Sequence, residues 1–166
     1  MDDQDDLLRV QQHWQQGRTV AQQTASEAEL ARFATVHQIQ LPADLVRYFA
    51  LVNGTGGAYD EPFFCFYALE EVQTVAERFH DYHGTPKYSD LLRTWPEHGQ
   101  FYVFADYMMH LFAYAIRLDV HFTSSNPVFV LCGGSYQLIA GSFTEFLGLY
   151  RRDSPVLYMG NEEPGE

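Results

Sequence analysis

Between residues 101 and 140 four strand-like runs follow one another: FYVFADY (101–107), FAYAIRLD (112–119), PVFVLC (127–132) and YQLIA (136–140). Their links, 108–111, 120–126 and 133–135, are all shorter than the dozen or so residues a parallel crossover requires. Strands joined this way pair antiparallel, and Gly133-Gly134-Ser135 reads as a hairpin. The rest of the chain must then cover that sheet.

The cover is helical. Residues 5–16 (DDLLRVQQHWQQ) place Leu7, Val10 or Leu8, and Trp14 on one stripe. Ser26-Glu-Ala-Glu29 is a capping-box pattern that opens a second helix, with Leu30, Phe33 and His37 along one face. Leu41-Pro42 begins a third, whose buried stripe is Leu45, Phe49 and Val52 with Tyr48 beside them. FFCFYAL (63–69) reads as a short strand, and 69–79 as a helix with Leu69, Val72, Val75 (or Ala76) and Phe79 inward. Residues 80–99 lose periodicity and read as an irregular excursion. Ser142-Phe-Thr-Glu145 caps a last helix that ends in Arg151-Arg152. The expected fold is α+β: a single domain with a mainly antiparallel sheet packed against several helices.

Asn53-Gly-Thr-Gly-Gly57 invites a phosphate-loop reading. A phosphate loop follows a strand and opens a helix, so that helix N–H groups face the anion. This one follows a helix, leads towards a strand and lacks the Lys-Ser/Thr pair, so its glycines are expected to end the helix.

The chain carries a net charge of −12. Four acids lie in 1–6 and four in 153–166, while 60–97 holds eight acids against Arg78, Lys87 and Arg93. Nucleic-acid binding needs clustered Lys and Arg, so it is not expected. No apolar run approaches the roughly 20 residues of a membrane helix, and the acidic start is unlike a signal peptide. A cytoplasmic location and no membrane association are the expectation. Cys65 and Cys132 lie in apolar strand-like runs without metal or redox spacing, and read as small hydrophobes.

No catalytic set emerges. His80 and His83, with His98 nearby, give the most metal-like spacing, but a zinc centre needs three ligands in defined geometry. Asp106 stands at a strand end without a spaced acid or histidine partner and reads as a turn cap. Ser142 sits in AGSFT, not GxSxG, and its capping role explains it; Ser135 belongs to a hairpin turn. No metal or cofactor is expected.

Several segments together resemble the SUKH superfamily, the group related to the fungal cell-wall-assembly regulator Smi/Knr. They are Leu41-Pro42 with the helix ending at Asn53-Gly54, FFCFYAL flowing into Leu69-Glu-Glu-Val72, Phe104-Ala-Asp-Tyr107, the strand ending Ile116-Arg-Leu118, PVFVL, and Ala140-Gly-Ser-Phe-Thr-Glu-Phe-Leu147. The resemblance spans about residues 26–150. It implies a non-enzymatic α+β binding domain, in bacteria commonly an immunity protein that neutralises a secreted or contact-delivered toxin, often a nuclease. The alternative it implies is a housekeeping regulatory or scaffolding module. The family has no shared catalytic residues to carry over.

The acids of 60–97 interleave with aromatics, a composition suited to a basic protein partner such as a toxin domain. The expected partner-binding residues are Tyr59, Asp60, Glu61, Asp81, Tyr82, Tyr88, Asp90, Trp95 and Glu97, with Asp106 added from the strand end. The expected division is an N-terminal helix and connection (1–25), the main domain (26–152) and a solvated acidic tail (153–166).

Overall fold

A computed structural model describes residues 3–21, 23–121 and 125–161, the side chains of 3–5 excepted. The expected acidic ends at Asp2, Glu162, Glu163 and Glu166 lie outside the described residues.

Three helices come first: α1 (Asp3–Gly17), α2 (Glu27–His37) and α3 (Ala43–Leu51). The Ser26 capping box forms as expected: Ser26 Oγ accepts from Glu29 N, and the Glu29 carboxylate accepts from Ser26 N. Pro42 is the residue before α3, and Leu45, Tyr48 and Phe49 are buried along that helix. Asn53 (φ 53°) and Gly54 (φ 86°) then end it. Only Gly fits at 54, because an added Cβ would lie 2.5 Å from the Phe66 carbonyl oxygen. Asn53 also works through its side chain, accepting from Leu69 N and donating to Gln23 O.

The chain continues through β1 (Phe64–Phe66), β2 (Gln73–Thr74), α4 (Val75–Phe79) and α5 (Ser89–Thr94). Here the expected helix over 69–79 breaks into pieces. Leu69–Glu71 is a 3-10 turn, and Val72 is extended (φ −70°, ψ 123°), so Gln73 and Thr74 pair with Val103 and Tyr102. Thr74 then caps α4 by accepting from Glu77 N. A β-branched run with a hydroxyl that favours capping resists continuous helix, and the sheet edge offers its backbone another partner. The excursion 80–99 is also more ordered than its composition suggests, because it holds α5 and a 3-10 turn at His98–Gln100.

Strands β3 (Phe101–Tyr107), β4 (Phe112–Arg117), β5 (Val128–Cys132) and β6 (Ser135–Ala140) precede α6 (Phe143–Arg151). The sheet order is β1-β3-β4-β5-β6, with β2 also on β3, and every pairing is antiparallel. The register of β3 slips between Val103 and Ala105, a bulge that bends the strand. At the start of α6 the expected capping box is offset. Ser142 Oγ accepts from Glu145 N, but the Glu145 carboxylate accepts from Gly141 N.

One sheet face presents Phe64, Phe66, Phe104 and Tyr114 to α1, α3 and α6. Phe66 packs on Trp14 and Tyr150, Phe104 on Phe143 and Phe146, and Tyr114 on Phe146. Asp44 joins two of these helices, accepting at Oδ2 from both N and Oγ1 of Thr144. The opposite face presents Phe101 and Phe129 to Trp95 of the excursion. Cys65 is buried, which pushes its thiol up to about 11, whereas Cys132 is half-buried.

Both ends of the described chain belong to this core. Leu7, Val10 and Trp14 of α1 are buried, and Leu8 is exposed. The start of the expected solvated tail forms a 3-10 turn at Pro155–Tyr158. Its Leu157 is 0% exposed and accepts at its carbonyl from the Tyr114 hydroxyl. Tyr158 lies against Phe64, Tyr107 and Phe112, so apolar burial overrides the acidic composition of this segment.

Candidate protein-docking surface

At one end of the sheet two turns meet, each held by a buried aspartate. Asp106, 1% exposed near the end of β3, accepts at Oδ1 from the Tyr59 hydroxyl (2.8 Å) and from the backbone N–H of His110 (3.2 Å). Its Oδ2 accepts from the Tyr67 hydroxyl. Tyr67 and Tyr59 are held well above the ordinary phenol range, first by burial and then by the neighbouring carboxylate, so they stay protonated donors. The His110 imidazole sits 3.3 Å from the Tyr67 oxygen and 3.9 Å from Oδ2, and burial lowers its pKa. The Arg78 guanidinium lies 4.0 Å from the Tyr67 ring centroid and donates to the Glu71 carbonyl.

Asp60, 5% exposed, does the same for the other turn. Its Oδ1 accepts from Phe64 N (2.8 Å), its backbone exchanges bonds with Phe63 and Phe64, and its Oδ2 accepts from the Tyr150 hydroxyl. Phe63 N donates to Asp60 O, and Asp60 N donates to Phe64 O. Both turns have unusual backbones. Phe63 (φ 73°) and the consecutive Met108, Met109 and His110 (φ 46°, 52° and 71°) are left-handed without a glycine among them. Such residues cost free energy, and they persist where surrounding bonds over-determine them. A bond from Met108 N to Phe63 O joins the two turns. Their product is an exposed apolar tip: Phe63, Met108, Met109 (74% exposed) and Leu111.

Of the residues expected to meet a partner, Tyr59, Glu61, Asp81, Asp90 and Glu97 are exposed and Tyr82 is half-buried. Asp60, Tyr88, Trp95 and Asp106 are interior; the side-chain oxygens of Asp60, Tyr88 and Asp106 are hydrogen-bonded within the fold, and Trp95 is held by ring packing. Tyr88 stacks on Phe79 and donates to the His110 carbonyl at 2.7 Å. Trp95 stacks on Tyr136 at 4.8 Å and packs on Phe101 and Phe129. These four therefore sit beneath the surface and help to position it. Asp90 pairs with Arg93, which offsets part of its charge. The structure joins Tyr59 and Asp106 directly, and it sets Tyr82 beside His110 with ring centroids 5.4 Å apart.

Sequence reasoning missed the apolar tip. Its one signal was apolar residues, Phe63 and Met108-Met109, at turn positions where Gly, Asn or Asp is the rule.

Of the histidines considered as ligands, His80 and His98 have local partners. His80 contacts Glu77 O and Asp81, and His98 contacts Trp95 O. Among the described residues no group of three or more His, Cys, Asp and Glu is placed to hold a metal ion. The glycine loop at 53–57 borders an open groove of about 750 Å³ beside α2. Glu29, Glu70 and Glu71 line it with Arg32, a charge balance that disfavours phosphate. No described helix is long and apolar enough to cross a membrane.

The molecule is thus an α+β domain whose buried polar groups at this end hold two turns in place. Residues 24–149 match the SMI1 / KNR4 family (SUKH-1), and the chain belongs to that family. No curated protein shows a significant match to the chain.

Proposed function

We propose that this protein is a non-enzymatic immunity protein that neutralises a toxin with a basic surface by covering it. Family membership supports a binding role. The observation that carries the reading further is the ordered excursion 80–99, which Tyr88 and Trp95 anchor to the sheet while Asp81, Asp90 and Glu97 stay exposed. Anchored aromatics hold the acids in fixed relative positions, and such charges speed encounter with a cationic partner.

The test is affinity capture of the tagged protein from its source cells at low and high salt, with partners identified by mass spectrometry. One stoichiometric partner with a basic toxin domain supports the reading. A diffuse set of cellular proteins would instead favour a regulatory module. With the partner in hand, Asp81→Lys, Asp90→Lys and Glu97→Lys together should slow association and flatten its salt dependence. Unchanged kinetics would remove this surface from the interface.

A further inference from the structure

We infer that the apolar tip formed by Phe63, Met108, Met109 and Leu111 is a preformed anchor for a cationic polypeptide that presents apolar side chains. The inference rests on the binding role proposed above and adds a contact element outside the acidic excursion.

Four large apolar side chains are exposed together here, drawn from two turns 45 residues apart in the chain and joined by the Met108–Phe63 backbone bond. Exposed apolar residues scattered singly need no explanation, but a contiguous patch marks an interaction site. Methionine suits such a site, because its flexible thioether adapts to an irregular partner. The backbone beneath is over-determined. Buried Asp60 holds the first turn, buried Asp106 holds the second, and Tyr59 hydrogen-bonds Asp106 from the first turn's side. A rigid tip loses little conformational freedom on binding, which favours affinity.

Charge selects the occupant. The tip carries no formal charge, Glu61 lies two residues from Phe63, and Asp81 precedes the Tyr82 that packs on His110. Segment 60–97 bears eight acids against three bases, within a chain of net charge −12. A second copy of this chain, or an acidic partner, would meet like charge at this rim; a cationic one would meet opposite charge.

The test is an NMR titration of the full chain with a synthetic Lys/Leu amphipathic peptide at low and high salt. A Glu/Leu peptide of equal length serves as the control. The expected result is salt-sensitive perturbation centred on Phe63, Met108, Met109 and Leu111 with the Lys/Leu peptide alone. Met109→Ser and Phe63→Ser should each weaken it about tenfold. Val36→Ser, at an exposed apolar side chain on α2, should leave it unchanged. Three results would overturn the inference: no binding, perturbation centred elsewhere, or equal response to both peptides. Concentration-dependent shifts at the tip without peptide would assign the surface to self-association instead. A failed titration beside a successful toxin capture removes the tip and leaves neutralisation standing. A tip response beside a capture without toxin does the reverse.

Discussion

The Tyr150 hydroxyl on α6 donates to Oδ2 of Asp60, ninety positions earlier in the chain, while accepting from Trp14 Nε1 on α1 at 3.0 Å. This short relay joins the first helix, the last helix and the turn before β1. Tyr150→Phe should therefore leave a buried indole N–H and a buried carboxylate oxygen without that partner. The expected loss is about 2–4 kcal/mol, read from the urea unfolding midpoint. A loss below about 0.5 kcal/mol would mean that water replaces the hydroxyl.

Asp60 should also give stability a pH dependence. Burial, the largest influence, raises its carboxyl pKa above the ordinary value, against hydrogen bonds from Tyr150 and Phe64 that lower it. The folded state thus holds the proton more tightly than the unfolded chain. Its stabilising contribution is complete below the unfolded value of about 3.9 and is lost as pH rises through the raised folded value. Stability of the wild type relative to Asp60→Asn should fall as pH rises from about 4 through the raised folded value. Urea titrations across that range check it, and a flat or rising difference would count against it.

Asp106→Asn keeps the side chain's size but turns one acceptor oxygen into an amide donor. Three donors converge on this carboxylate, so at least one bond must be lost or reverse its direction. We expect a loss of about 1–3 kcal/mol and faster hydrogen exchange at the His110 amide. Unaltered exchange at His110 would show that the turn holds without its aspartate.

Gly54→Ala should be severe for its size. The residue has φ 86°, and the new Cβ would sit 2.5 Å from the Phe66 carbonyl oxygen, which belongs to β1 rather than to a flexible side chain. A loss of at least ~2 kcal/mol is expected in chemical denaturation. Gly57→Ala, where the space is open, should cost less.

A fragment cut to the family-matched span, 24–149, should not fold stably. It would lack Leu7, Val10 and Trp14 of α1, along with Tyr150 and Leu157. At about 1.5–3 kcal/mol for each fully buried large side chain, the loss rivals the total stability of a domain. Circular dichroism and a thermal melt decide it. A cooperative melt close to that of the full chain would show that the matched span is self-sufficient.

Much of the fold was legible residue by residue. The Ser26 capping box, the helix stop at Asn53-Gly54 and the Gly133-Gly134 hairpin all formed as read. Each depends on atoms only a few residues apart. The 69–79 segment was misread because the competing partner for Gln73-Thr74 is β3, some thirty residues away and silent in the local pattern. The start of the tail, Pro155–Tyr158, is packed for a similar reason: the acidic composition is a local signal, whereas the Leu157 contact with Tyr114 spans 43 residues.

The sequence by itself determined the order of the main elements outside 69–99, the antiparallel sense of the late strands and the family. Link length, cap chemistry and apolar periodicity act over short separations and can be read along the chain. Only the tertiary structure decided which polar groups face inward. Asp60 and Asp106 resemble surface acids until Tyr150, Tyr59 and Tyr67 close over them, and Met109 resembles a core residue until its turn leaves it in solvent. Burial is set by contacts between distant segments, and no local pattern of residue types contains that information.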